Sequence, residues 1–233
     1  MKTNQANPNI VAIIPSYNEA ERVAEVASMV SRHLPVIVVD DGSGDDTLDR
    51  LAALDVDIVQ HPTNLGKGEA LKSGFRAALA QDVDAVLTLD ADGQHAPEDI
   101  PRFIEAYKKT RASLIIGQRD FRQMPFSRRL ANNLGQRTLH AALGKFIPDN
   151  QSGFRLIDRY LVEAMLDNSE TGFEFEVEMI LFCVAEKIVI EWVPIRTIYQ
   201  DETSHIKPIQ HVIKYLSLLR RAYQTRRRIS ANL

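Results

Sequence analysis

The chain predicts an α/β fold, with a mostly parallel central sheet and helices on both faces. Three observations predict it. Short apolar runs recur at Ile10–Ile14, Val36–Asp40, Asp57–Gln60, Ala85–Asp90 and Leu114–Gly117. Segments of helical periodicity separate them, and each run ends in a polar loop. Strands alternating with helices at this spacing build crossover units and a parallel sheet.

Ile10–Ile14 is the first predicted strand. Asn18 is expected to cap a helix whose apolar stripe is Val23, Val26, Val30 and Leu34. Val36–Asp40 is the second strand, and the turn Gly42-Ser43-Gly44-Asp45 leads to a helix near Asp46–Leu54. Asp57–Gln60 is a third strand, Gly66–Ala80 a helix and Ala85–Asp90 the fourth strand. Pro97–Thr110 follows as a helix with proline in its first turn, where no N–H is needed. Leu114–Gly117 is the fifth strand.

The second half is less regular. Phe126–Leu143 reads as a helix despite Gly135, and Pro148–Gly153 as a loop. Asp158–Leu166 and Phe175–Glu186 read as helices, and Ile188–Trp192 and Ile195–Tyr199 as two strands around Pro194. Lys207 to Arg228 reads as a long amphipathic helix with the stripe Ile209, Val212, Ile213, Leu216, Leu219 and Tyr223. The expected units are a body, 1–202, and a basic amphipathic C-terminal helix, 203–233.

With 45% hydrophobic and 25% charged residues, the chain can bury a substantial core. Cys183 is the only cysteine, which excludes an intrachain disulfide and cysteine metal clusters. A single thiol, a polar start from Met1 to Asn9 and no run of about 18 apolar residues predict a cytoplasmic protein without a signal peptide or membrane span. The net charge of −3 hides an asymmetry, because seven of the 28 basic residues and none of the 31 acidic ones follow residue 202. A basic helix on an acidic body suits the inner membrane face, a second copy of the chain, or its own core. Nucleic acid is not expected, because only the tail is basic.

The chemistry concentrates at strand ends. Asp90-Ala91-Asp92 closes the fourth strand with two carboxylates one residue apart, and Asp40-Asp41 closes the second. Open α/β sheets bind ligands outside these carboxyl ends. Hard carboxylate oxygens at Asp90 and Asp92 suit Mg²⁺ or Mn²⁺ carrying a diphosphate, where a cation stabilises the departing phosphate. Asp40 and Asp41 can accept hydrogen bonds from a base and a ribose. Lys67, near a helix start, adds positive charge toward phosphates.

Five motifs follow one another in order: Pro15-Ser16-Tyr17-Asn18-Glu19, Asp40-Asp41-Gly42-Ser43, Asn64-Leu65-Gly66-Lys67-Gly68, Asp90-Ala91-Asp92 and Gly117-Gln118-Arg119. In these the chain resembles the family 2 glycosyltransferases, which have the GT-A nucleotide-diphospho-sugar fold. Asn150-Gln151-Ser152-Gly153-Phe154-Arg155 is similar to a stretch in dolichyl-phosphate mannose synthase and bacterial polyprenyl-phosphate relatives. The resemblance implies inverting transfer from a nucleotide-diphosphate sugar, with Mg²⁺ or Mn²⁺ as cofactor. It places Pro15, Tyr17, Glu19 and Asp41 at the nucleoside, and Asp90 and Asp92 at the metal and diphosphate; Asp40, Lys67 and Ala91 complete the nucleotide-binding candidates. Asp92 and Gln94 are the expected catalytic residues on the donor side.

Arg119, Arg128, Arg129, Ser152, Arg155 and Lys207 are candidates to hold an anionic acceptor, since arginine forks suit phosphate. A hydroxyl acceptor needs a general base. A lipid phosphate, with a second pKa of about 6 by analogy with phosphorylated side chains, is already ionised and needs none. Glu174 is the candidate base, with Glu176 and Asp120 behind it, and Arg119 is counted among the catalytic groups. The acceptor expected here is therefore a polyprenyl phosphate or another membrane-associated anion. Two alternatives stand beside it: transfer to a sugar hydroxyl of a polysaccharide or glycolipid, and a catalytically silent scaffold. Each single motif also has a structural explanation, as a solvated turn, a helix cap or a surface ion pair.

Overall fold

The computed structural model describes residues 7–120, 126–198, 217 and 219–227, with the side chains of 126–134 left out. Seven strands form one sheet in the order β3-β2-β1-β4-β6-β5-β7. They are β1 (Ile10–Ser16), β2 (Val36–Asp40), β3 (Asp57–Gln60), β4 (Ala85–Thr88), β5 (Leu114–Arg119), β6 (Arg155–Asp158) and β7 (Ile190–Ile195). All run parallel except β6, which lies antiparallel between β4 and β5.

The helices are α1 (Val23–Val30), α2 (Thr47–Leu51), α3 (Lys67–Leu79), α4 (Ile100–Thr110), α5 (Phe126–Leu143), α6 (Arg159–Met165) and α7 (Glu174–Ala185). The inner strands read as unbroken apolar runs because both faces are covered. Along β1, Ile10, Ala12 and Ile14 enter a core with Val23, Val30 and Phe103, from α1 and α4. Val11 and Ile13 enter the opposite core with Phe75, Leu161 and Ile180, from α3, α6 and α7. This is the α/β architecture the sequence predicts.

Four details differ from expectation. Asn18 is not the cap of α1, which starts at Val23. It sits at φ 55°, and its side chain accepts the Gly44 N–H at 2.9 Å, tying the first loop to the second. Pro97–Asp99 forms a 3-10 turn before α4 rather than the first α-helical turn. Of the two strands expected around Pro194, one forms, β7, which runs through the proline and ends at Ile195; beyond it Thr197 makes only an isolated bridge to His95, and Tyr199 lies outside the described residues. Proline is tolerated there because β7 is an edge strand pairing only with β5. Finally, β6 was not anticipated. Its apolar content is Leu156 and Ile157 between the charged Arg155 and Asp158, too short a pattern to read. Asp158 closes the strand and caps α6, its carboxylate accepting the Leu161 N–H at 2.9 Å, a contact worth ~1 kcal/mol.

Of the predicted tail helix, residues 219–227 are described and helical. Ala222 is fully buried, and Leu219 packs against the core. Arg221 pairs with Glu170, and its Nε lies 3.0 Å from Glu178 without hydrogen-bond alignment. Arg226 donates to the Ala141 carbonyl at 3.1 Å. This part of the tail therefore lies on the body of its own chain. No helix among the described residues is long and apolar enough to cross a membrane.

Candidate active site

The strand order reverses between β1 and β4, because β2 and β3 continue on one side and the later strands on the other. Such a reversal opens a crevice at the carboxyl edge. The loops after β1 and β4 flank it, and Arg22 Nη1 bridges them by donating to the Asp92 carbonyl at 3.2 Å. Pro15 and Glu19 are half-buried here, and Tyr17 is exposed.

The nucleoside side is already hydrogen-bonded. Asn18 N–H donates to Ser43 Oγ at 2.9 Å, Glu19 N–H to Thr47 Oγ1 at 3.1 Å and Ala20 N–H to Asp45 at 3.2 Å. Asp40 is fully buried and faces the Ser43 N–H at 3.3 Å. Asp41 is buried too, and its carboxylate accepts Leu65 N–H at 2.9 Å and Gly66 N–H at 2.8 Å. His61 Nδ1 lies 2.7 Å from the same carboxylate, and its Nε2 lies 2.9 Å from Ser73 Oγ. Asp41 thus organises the loop before α3.

That loop is pinned on its other side as well. Gly66 has φ 96°, and a Cβ there would sit 2.5 Å from the Thr171 carbonyl oxygen. Gly68 N–H and Glu69 N–H both donate to that oxygen, at 2.7 and 3.2 Å. The first turn of α3 is therefore sealed by protein rather than open to a phosphate. Lys67 does not point along it. Its ammonium lies 2.6 Å from Asp90 Oδ1 and 2.9 Å from Glu176 Oε2, with the exposed Phe173 ring 5.4 Å away.

Asp90 is the centre of this cluster. His95 Nε2 stands 3.3 Å from its second oxygen. A Cβ on Gly153 would sit 2.4 Å from that oxygen, so only glycine lets the loop before β6 close over the carboxylate. Burial pushes the Asp90 carboxyl up, but the Lys67 charge and the His95 contact outweigh it and hold it well below the usual carboxylate range. For Lys67, burial works downward, and Asp90 and Glu176 together hold it above the ordinary lysine range. Next door, Ala91 is buried and Asp92 half-buried, with Gln94 N–H donating to Asp92 Oδ1 at 2.9 Å. Ser16 Oγ, His95 Nδ1 and Ser152 Oγ are buried without a protein partner. Ser16 ends β1 and the other two lie on loops at the same edge, and a buried polar atom of this kind calls for a partner such as bound water or a ligand.

The donor chemistry fits a hard divalent cation. Asp90 and Asp92 offer oxygen ligands, while the described residues include no group of three His, Cys, Asp or Glu able to hold a metal. A site with one or two carboxylates, completed by substrate phosphates and water, is the usual Mg²⁺ arrangement.

The acceptor candidates divide. Arg119 is on the rim, its Nε 2.7 Å and Nη2 2.9 Å from the two oxygens of buried Asp149. It lines a cavity of about 480 Å³ with Gln118, Asp120, Gln136, Pro148 and Pro194. Arg155, in contrast, is fully buried. It donates to the carbonyls of Ser152 at 2.8 Å, Asn150 at 3.4 Å and Glu176. Arg155 thus braces the loop through backbone carbonyls, and Ser152 is equally buried, with its carbonyl accepting from Arg155. The Arg128 and Arg129 side chains and all of Lys207 lie outside the described residues. Glu174 is half-buried in the first turn of α7.

Sequence reasoning under-rated three residues. Glu176 was visible as a carboxylate inside an apolar helix, and a buried charge requires a partner. Asp149 and His61 carried no motif that marked them.

Comparison with known proteins agrees with this architecture. The chain is 29% identical to UDP-N-acetylglucosamine--dolichyl-phosphate N-acetylglucosaminyltransferase of Methanococcus voltae, over 84% of this chain and 88% of that one. It is 34% identical to undecaprenyl-phosphate mannosyltransferase of Micrococcus luteus, over 73% and 75%. Glucosyl-3-phosphoglycerate synthase from Mycobacterium tuberculosis, in complex with Mn²⁺ and UDP-glucose, shares the fold with a TM-score of 0.70 at 21% identity, over 92% and 79%. The profile of Glycosyl transferase family 2 matches residues 11–166, more than half of the chain. The chain belongs to glycosyl transferase family 2.

Proposed function

We propose that this protein transfers a sugar, with inversion, from a nucleotide-diphosphate sugar to a polyprenyl phosphate. The observation that carries the reading is Asp90-Ala91-Asp92 at the crevice where the strand order reverses. Asp90 and Asp92 would hold Mg²⁺ or Mn²⁺, which when bound supplies Lewis-acid stabilisation to the leaving diphosphate. Tyr17 and Glu19 line the nucleoside side, and Gln94 fixes Asp92 through its backbone.

Two carboxylates near the crevice are already paired, which supports an acceptor that brings its own charge. Glu176 is committed to Lys67, and Asp149 to Arg119. An acceptor that arrives ionised needs neither. Relatives named for dolichyl and undecaprenyl phosphate support the same class. Arg119, at the rim cavity, is the arginine placed to meet that phosphate. The outward face of the tail helix, with Arg220, Tyr223 and Arg227 exposed, supports attachment to an anionic membrane surface.

The test is a transfer assay with labelled UDP-, GDP- and dTDP-sugars, a short polyprenyl phosphate in detergent, and Mn²⁺ or Mg²⁺. Metal-dependent movement of label into the organic phase is expected. Label moving only to a glycan hydroxyl, or no transfer from any donor that binds, overturns the reading.

A further inference from the structure

The Asp90 carboxylate that is the best metal ligand on the rim already has a cation on it. Lys67 Nζ lies 2.6 Å from Asp90 Oδ1 and also 2.9 Å from Glu176 Oε2. Its side chain is 13% exposed and that of Glu176 6% exposed. Behind Glu176 lies the buried guanidinium of Arg155, with Nε 4.0 Å from Glu176 Oε1. Two carboxylates and two cations therefore form an electrically neutral row, open to solvent at Asp90, whose side chain is 26% exposed. A divalent cation arriving alone at Asp90 would meet an ammonium at contact distance, and like charges that close repel even where water partly screens them. A nucleoside diphosphate arriving with it changes the balance, because its phosphate oxygens accept both the metal and a displaced ammonium. Lys67 has a seat to retain while it turns, since Glu176 still holds it.

We propose that Lys67 is a resident counter-ion for Asp90 which makes metal binding conditional on the diphosphate. Lys67 occupies the carboxylate in the free protein, hands it to the metal when the nucleotide enters, and then shares Glu176 with a phosphate oxygen. The metal and nucleotide sites are coupled through this one ammonium. This rests on Asp90 being a metal ligand, as proposed above.

The experiment measures Mn²⁺ binding by the loss of the free-ion EPR signal, with and without a nucleoside diphosphate. UDP, GDP, CDP and dTDP are first screened by thermal shift, and the one that binds is used. Wild type is expected to bind Mn²⁺ weakly alone and strongly with the nucleotide. Lys67→Met is expected to bind Mn²⁺ alone about tenfold more tightly or better, and to lose most of the coupling between the two ligands. Because Lys67→Met leaves Glu176 buried beside Arg155 alone, the Lys67→Met, Glu176→Gln double variant is measured alongside it, with near-UV circular dichroism as the check on folding. Unchanged metal-only affinity and unchanged coupling in a folded variant overturn the proposal. Asp90→Asn separates the two readings: if it keeps wild-type Mn²⁺ binding with nucleotide, the metal assignment itself fails, whatever Lys67 does.

Discussion

Replacing Gly153 with alanine tests whether the loop before β6 shapes the metal carboxylate. The new Cβ would lie 2.4 Å from Asp90 Oδ2 and 2.8 Å from its Cγ. Ordinary non-bonded contact is ~3.5 Å, so one side must retreat by about 1 Å. The loop resists, since Thr88 Oγ1 donates to the Gly153 carbonyl at 2.9 Å and Arg155 Nε to Ser152 at 2.8 Å. Asp90 therefore moves, stretching its 2.6 Å contact with Lys67. Overpacking of this size costs about 1–3 kcal/mol, which in a chain of this length lowers Tm by roughly 2–12 °C. If Asp90 holds the metal as proposed, displacing it by ~1 Å costs on the order of 10²-fold in rate. Calorimetric unfolding, Mn²⁺-dependent nucleotide binding and kcat/KM are measured together. Gly44→Ala, with nothing within 4 Å of its Cβ, is the control for stability. A Gly153→Ala protein with wild-type Tm and wild-type Mn²⁺-nucleotide affinity would refute the reasoning.

Asp90→Asn is expected to lower stability at neutral pH by about 1–3 kcal/mol, less than a full buried-pair loss because Glu176 still holds Lys67. The folded Asp90 carboxyl lies below its ordinary value of 3.8, so its contribution is present above that value and fades only as pH falls beneath it. Denaturant unfolding of both proteins from pH 7 to pH 3 checks this, and a difference that vanishes between pH 7 and 5 contradicts it. Arg155→Met should cost about 3–5 kcal/mol in urea unfolding, chiefly from the three carbonyls it leaves without a donor, since Lys67 still holds Glu176; unchanged stability with a raised KM for the lipid acceptor would return Arg155 to the acceptor site. Burial pushes the Cys183 thiol up to about 12, leaving a thiolate fraction on the order of 10⁻⁴ at pH 8. Iodoacetamide should thus label the native protein only as fast as it unfolds, and rapid labelling at pH 8 would show the thiol to be accessible.

The gathering of the motif-bearing strand ends at one edge was legible because it follows from local pattern. Apolar runs gave β1 to β5, and their parallel pairing brings Ser16, Asp40 and Asp90 to one edge without further information. What lay hidden depends on distance along the chain. β6 owes its place to partners at Ala85–Thr88 and Leu114–Ile116, not to its own four residues. Lys67 and Glu176 are 109 positions apart, so the carboxylates that hold the Lys67 ammonium could not be read from its motif. Arg155 read as an acceptor arginine because a motif shows the guanidinium but not the carbonyls around it. Asp41 read as a nucleoside ligand, while its hydrogen bonds to the Leu65 and Gly66 amides emerge only when the loop folds back.

The reversed direction of β6 has a practical use. A parallel strand delivers only its end to the carboxyl edge, but β6 delivers its beginning, with Gly153 against Asp90, and carries its end to the opposite pole of the sheet. There Arg159 pairs with Asp82 at the surface and Asp158 caps α6. Four residues span only ~13 Å, so the strand is a short rigid lever between donor pocket and far surface. The exposed Tyr160, just past that far end, is therefore a place for a label that leaves the contacts around Asp90 untouched.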